Sequence, residues 1–184
     1  MRFIETGLSG AWLIEPDFLS DERGFFARSY CQKEFAAHGL NVNPVQCNIS
    51  YNKARGTLRG MHFQKAPYAE AKLVRCTQGA LYDVIIDLRH DSQTFTKWFG
   101  VELTAANRKA LYIPEGFAHG FQTLVDDTEV FYQMFNFFSA DSSGGVRWDD
   151  PAFKIKWPLG KPTMSEKDRA YSDFNGPDFD GFVL

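Results

Sequence analysis

Four histidines carry most of the acid–base potential of this sequence, and two of them stand where chemistry is possible. His62 lies in the run Leu58-Arg59-Gly60-Met61-His62-Phe63-Gln64. His119 follows Pro114-Glu115-Gly116-Phe117-Ala118, a turn that feeds another run. Imidazole titrates near neutrality, so a strand histidine facing a pocket can move a proton or bind a metal. The plainer role for a lone strand histidine is that of a satisfied core or surface side chain. His38 ends a short helical run and His90 sits in the turn Arg89-His90-Asp91-Ser92; both read as solvated. Arg59 and His62 are an odd number of residues apart, so ideal alternation puts them on opposite faces. For both to serve one site, a twist or bulge must intervene near Gly60.

The elements that would position these residues are strands. Lys72–Gln78 and Ala80–Asp87 alternate with period two about Gly79, as a hairpin does. In the second run Tyr82, Val84, Ile86 and Leu88 face one way, while Leu81, Asp83, Ile85 and Asp87 face the other. Further strands are expected near 10–15, 25–30, 45–51, 57–63, 97–103, 110–113, 117–124 and 128–136. Helix is scarce. Gln32 to His38 reads as a short helix stopped by Gly39. Ser165-Glu166-Lys167-Asp168 has the form of a capping box, with Ser165 as N-cap. About ten strands cannot remain one flat sheet, which predicts an all-β jelly roll or barrel with short peripheral helices.

The 184 residues fit one domain, taken as 1–184, since no repeat, low-complexity segment or long linker divides them. A hydrophobic fraction of 44% and a charged fraction of 23% exclude disordered and collagen-like chains. Twenty basic against 23 acidic side chains give a net charge of −3, which disfavours nucleic acid and anionic membranes as partners. The 18 Phe, 7 Tyr and 4 Trp suit a β-rich core, with rings to spare for a flat ligand. Cys31, Cys47 and Cys76 are too few and too scattered for a disulfide framework or a zinc site. With no apolar leader and no run long enough to span a bilayer, the expectation is a cytoplasmic protein.

Six strings occur in one order: Asp21-Glu22-Arg23-Gly24-Phe25-Phe26, Leu58 to Gln64, Ala71-Lys72-Leu73-Val74-Arg75, Tyr112 to Phe121, Gly145-Val146-Arg147-Trp148-Asp149-Asp150-Pro151, and Leu159 through Arg169. Together they resemble the dTDP-4-dehydrorhamnose 3,5-epimerase family from about residue 10 to 170. The resemblance implies a cupin-type jelly roll, a homodimer, and a nucleotide-diphosphate 4-keto-6-deoxyhexose as substrate. No cofactor or metal is implied. The ketone acidifies the hydrogens on carbon-3 and carbon-5. By resemblance His62 is the general base, and Asp168 is its carboxylate partner. Lys72 stands against the enolate oxygen, and Tyr132 returns a proton from the opposite face. His119 lines the sugar pocket, Gln46 and Asn48 are polar pocket residues, and Arg23, Arg59 and Arg169 are candidates for the diphosphate. A strand exchanged between subunits would carry Arg23, Phe26 and Arg28 to the partner's site.

Three positions depart from the family pattern: Arg28 where an acid is usual, Cys47 where Asp is usual, and Phe137-Phe138 where tyrosines are usual. Phe138 can still stack on a base. Arg28 has donors only, whereas a carboxylate there would accept the thymine N–H, so a CDP-linked sugar is an alternative substrate. Three other readings compete. A metal-dependent cupin would use Pro114 to His119 as half its motif, but His62-Phe63-Gln64 breaks the other half. A sugar-nucleotide 3,4-ketoisomerase would shift the ketone instead, and a cupin sugar-binding module would do no chemistry.

Overall fold

The structure is a computed structural model describing residues 1–41, 43–176 and 179. In chain order its strands are β1 (Arg2–Glu5), β2 (Trp12–Glu15), β3 (Leu19–Asp21), β4 (Gly24–Phe26), β5 (Gln46–Asn52), β6 (Leu58–Gln64), β7 (Lys72–Gln78), β8 (Ala80–Asp87), β9 (Trp98–Thr104), β10 (Ala110–Ile113), β11 (Phe117–Thr123), β12 (Thr128–Met134) and β13 (Ser143–Gly145). Helix α1 (Gln32–Ala37) lies between β4 and β5, and α2 (Glu166–Arg169) follows β13. Six strands form one antiparallel sheet in the order β1-β2-β10-β7-β12-β5. Five form a second, β13-β6-β11-β8-β9, and β3-β4 is a separate hairpin.

The two sheets pack face to face, and the β8 alternation shows why. Leu81 and Ile85 enter the inter-sheet core with Leu13, Val74, Leu111, Ile113, Phe117 and Val130. Val84, Ile86 and Leu88 point the other way, against Met61, Phe63, Val146 and Phe153. The outer face of the six-stranded sheet is covered in turn by α1, where Phe35 packs with Ile14, Leu73, Ala110, Tyr112 and Phe135. Burying each such side chain is worth about 1.5–3 kcal/mol, so a sandwich covered on both faces is strongly favoured over an open sheet.

The expected strand over 25–30 is shorter than the sequence suggests. Pairing ends at Phe26. Beyond it the chain crosses to the outer face of the six-stranded sheet, where Arg75 donates to the Ser29 carbonyl (2.7 Å) and Arg28 pairs with Glu34 (3.0 Å). Strands β1, β3 and β13, at three or four residues each, carry too little pattern to be read from sequence. Helix α1 ends as expected, with Gly39 at φ +69°.

Candidate active site

The site is built on a bulge. His62 lies opposite His119, but Arg59 lies opposite Phe121, so three steps along β6 match two along β11. The extra residue flips the parity of the strand. Arg59 and His62 therefore share the inter-sheet face, as the sequence requires if both serve one site. Gly60 makes this possible, with φ at +134°. A Cβ there would sit 2.5 Å from Gly120 Cα and 3.0 Å from the His119 carbonyl oxygen, both immovable backbone. Gly60→Ala should lower unfolding stability by about 3 kcal/mol through overpacking and a strained backbone. Urea denaturation would show this as a shifted midpoint with the slope unchanged.

The bulge also holds the carboxylate. The Gly60 N–H donates to Asp168 Oδ2 (3.4 Å), and Asp168 Oδ1 lies 2.7 Å from His62 Nε2. Asp168 sits on α2, whose first turn is fixed by its own N–H donating to Ser165 Oγ (3.1 Å), the N-cap expected from sequence; its carboxylate turns to His62 and Gly60 instead of closing a capping box. Burial would raise the Asp168 carboxyl, but the His62 hydrogen bond and charge and the Gly60 N–H outweigh it and hold the group below its ordinary value. An ionised Asp168 accepts a hydrogen bond from the Nε2–H, which leaves the Nδ1 lone pair of His62 free to accept a proton. Tyr171 packs edge-on to the imidazole at 6.1 Å and fixes the plane of the ring.

The facing wall belongs to the other sheet. Tyr132 pairs with Asn48 and Val74 in register, and Lys72 pairs with Met134, so these side chains line one inner surface. Burial raises the Tyr132 phenol, with Arg59 opposing and the Glu70 charge adding, and it keeps its proton at neutral pH. Lys72 Nζ lies 2.7 Å from Glu70 Oε1. Ser50, Arg59, His62, Lys72, His119, Phe121 and Tyr132 together enclose a cleft of about 210 Å³. A 150 Å³ cavity takes a benzene ring, so this cleft suits one substituted six-membered ring and not an attached nucleotide.

His119 enters the cleft with its own carboxylate: Nε2 is 2.5 Å from Asp83 Oδ1, and Asp83 is fully buried. Sequence reading passed over Asp83, although an acid alternating with Leu81 and Ile85 on a core-facing strand needs a partner. Phe121 closes the Tyr112 to Phe121 string without being assigned a role, and Ser50, Glu70 and Tyr171 were also missed; as ordinary strand or loop residues those three carry no motif. Gln46 and Asn48 form the rim, bonded to each other (3.2 Å), and Gln46 accepts from the Phe138 N–H (3.3 Å). Gln64 holds that rim loop, accepting from Ser139 N–H (2.6 Å) and donating to the Phe137 carbonyl (3.1 Å). Phe138 is exposed beside it.

Other candidates stand apart. Within one chain Arg23, Phe26 and Arg28 do not line the cleft. Arg23 pairs with Asp21 (2.6 Å) on the β3-β4 hairpin, and Arg28 is committed to Glu34. Arg169 is exposed on α2 and is not part of the cleft wall. His38 stacks on Phe3 at 3.8 Å, and His90 packs on Phe95, both away from the site. Among the described residues no three His, Cys, Asp or Glu side chains converge as metal ligands, and no helix is long and apolar enough to cross a membrane.

Two antiparallel sheets enclosing a His–carboxylate pair opposite a tyrosine and a lysine define a cupin-type jelly roll of the epimerase kind. The particular family follows from comparison with known proteins. The dTDP-4-dehydrorhamnose 3,5-epimerase family model matches residues 5–176, and the chain belongs to that family. A dTDP-4-dehydrorhamnose 3,5-epimerase of Shigella flexneri is 46% identical over 169 residues, covering 91% of this chain and 93% of its own. The crystal structure of the Bacillus anthracis dTDP-4-dehydrorhamnose 3,5-epimerase, with TDP and PPi bound, superposes with a TM-score of 0.91 at 47% identity, covering 94% of this chain and 99% of that one. A Legionella pneumophila dTDP-6-deoxy-D-glucose-3,5-epimerase in complex with dTDP-4-keto-L-rhamnose gives 0.89 at 36% identity, covering 96% and 94%.

Proposed function

We propose that the chain epimerises carbon-3, carbon-5 or both of a dTDP-linked 4-keto-6-deoxyhexose. One observation carries this reading: a carboxylate-backed base and a protonated phenol stand on opposite walls of a ring-sized cleft. His62 Nδ1 removes the proton beside the ketone, and the C–H electrons pass into an enolate. Asp168 stabilises the imidazolium so formed. The ammonium of Lys72 offsets the charge growing on the enolate oxygen. Tyr132 O–H then delivers a proton to the other face of the carbon, the centre inverts, and solvent restores both groups. Each step moves only protons.

The nucleotide extends from the cleft over the rim, with Phe138 as the stacking surface and Gln46 and Asn48 beside it. Within its own chain Arg28 lies outside the cleft and gives one N–H to Glu34, while the Bacillus anthracis and Legionella pneumophila relatives hold TDP and dTDP-4-keto-L-rhamnose. The dTDP reading therefore stands ahead of the CDP alternative. Mass spectrometry of deuterium uptake in D₂O, with dTDP- and CDP-linked 4-keto-6-deoxyglucose side by side, tests it. Uptake from the dTDP sugar at the higher kcat/KM is expected; preference for the CDP sugar overturns the nucleotide assignment. No uptake from either overturns the epimerase reading.

We place the active form as a cytoplasmic homodimer in which the whole chain acts as one unit. The β3-β4 hairpin stands off the sandwich with Leu19 70% and Phe26 67% exposed, an apolar surface that a second copy would cover. Strand β5 is a free sheet edge, with Ile49 66% exposed. A hairpin laid on that edge would bring Arg23 and Phe26 to the partner's rim. The double variant Leu19→Asp/Phe26→Asp should sediment as a monomer, with KM raised about tenfold or more.

A further inference from the structure

Lys72 does not stand alone in the cleft. Glu70 precedes it by two residues and has a side chain only 3% exposed, with Oε1 2.7 Å from Lys72 Nζ. The backbone on both sides of Glu70 is tied to the chain just after β12. Asn136 Nδ2 donates to the Ala69 carbonyl (3.1 Å), and Phe135 N–H donates to the Ala71 carbonyl (3.0 Å). The carboxylate is thus anchored from the main chain outward, and its second oxygen, Oε2, is buried without a hydrogen-bond partner.

A carboxylate placed this way is costly, since a buried charge needs full pairing. If only packing were at stake, an apolar residue would serve. What the pair provides is a fixed ammonium. A lysine stem has four rotatable bonds, and an unpinned Nζ would spend its time elsewhere. The charged and titratable groups around the pair are Glu115 before β11, Tyr132 on β12, Arg59 and His62 on β6, and His119 on β11. Glu115 is the other acid nearby: burial first, and then the Glu70 charge, raise its carboxyl.

We propose that Glu70 is a positioning residue for Lys72, holding the ammonium at the point where the enolate oxygen develops. This rests on the epimerase reading. Preorganised charge acts because it needs no rearrangement at the moment of reaction, and small misplacements cost about 10²-fold in rate. Methionine at position 70 fills the space but accepts no ammonium proton; glutamine keeps an acceptor oxygen in the same place.

The test follows kcat and KM for deuterium uptake from dTDP-4-keto-6-deoxyglucose in the full-length protein, together with the Lys72 Nζ signal of ¹⁵N-lysine-labelled protein, identified by its loss in Lys72→Met. Glu70→Met should lower kcat about 10²-fold with KM within about twofold, and abolish the slowly exchanging Nζ–H signal. Glu70→Gln should restore both. Glu70→Met should add nothing in a Lys72→Met background. Should Glu70→Met fail to fold, Glu70→Asp, which retracts the carboxylate by one methylene, should lose kcat in the same way. A loss expressed in KM, effects that multiply with Lys72→Met, or an Nζ signal indifferent to Glu70 overturns the proposal. If the unaltered protein brings no deuterium into the sugar, the epimerase reading fails and the Nζ signal alone decides whether Glu70 holds Lys72.

Discussion

His62→Asn is expected to lower the rate of deuterium uptake by about 10³-fold or more while leaving dTDP binding within about twofold. Asparagine stops one atom short of Nε2 and gives up the Asp168 contact, but the Gly60 N–H still donates to Asp168, so α2 keeps its tie to the bulge. What disappears is the lone pair that takes the carbon-bound proton, and no neighbouring group can replace it at that wall. Arg59 carries donors only. His119 is the other imidazole in the cleft, but its Nε2 faces the buried Asp83. Asp168→Asn should cost a comparable factor for a different reason. The amide can donate as well as accept, so the imidazole is no longer held with its proton on Nε2, and the imidazolium loses its counter-charge. Uptake measured by mass spectrometry, with dTDP affinity by calorimetry on the same samples, separates lost chemistry from lost binding. Exchange persisting in His62→Asn but vanishing in His119→Asn would move the base to the other dyad.

The parity of Arg59 and His62 was legible because alternation is a strict rule and its violation demands a local cause. Gly60 was the one residue nearby able to supply it, and the register shift between His119 and Phe121 is that cause. The N-cap at Ser165 was legible for a similar reason, since helix N-termini have a fixed set of orphan donors. Bringing α2 against β6, 106 residues away from His62, was not, because no local pattern encodes which sheet a terminal helix docks on. Only the family resemblance joined Asp168 to His62. Asp83 was visible as an inward acid, but its sibling Asp87 shows why that is not enough. Asp87 is equally buried and spends itself on Arg89, Ser92 and Thr94 in a turn, far from any chemistry. Telling the two acids apart needs the neighbouring strand. Arg23 and Phe26 lie on the β3-β4 hairpin and Arg28 beyond it beside Glu34, so no local pattern ties the three to the cleft.

Tyr132→Phe separates exchange from inversion. In D₂O the variant should still take up deuterium within about tenfold of the normal rate, because His62, Asp168 and Lys72 are untouched. Its inverted product should fall by about 10²-fold or more, because the proton donor on the opposite wall is gone. The imidazolium can return a deuteron to the face it came from, which labels the carbon without changing its configuration. The direction of the Tyr132 shift fits this role. Burial keeps the phenol protonated until it is needed, and the charge of Arg59 favours the phenolate left behind. NMR of the recovered nucleotide sugar reads both quantities at once, label from the lost proton signals and configuration from the carbon-13 shifts of the ring. Inversion lost at one carbon and kept at the other would assign Tyr132 to that carbon alone, with solvent supplying the second proton. Inversion kept at both would show that water on the six-stranded wall is the donor, and that the phenol only shapes the pocket.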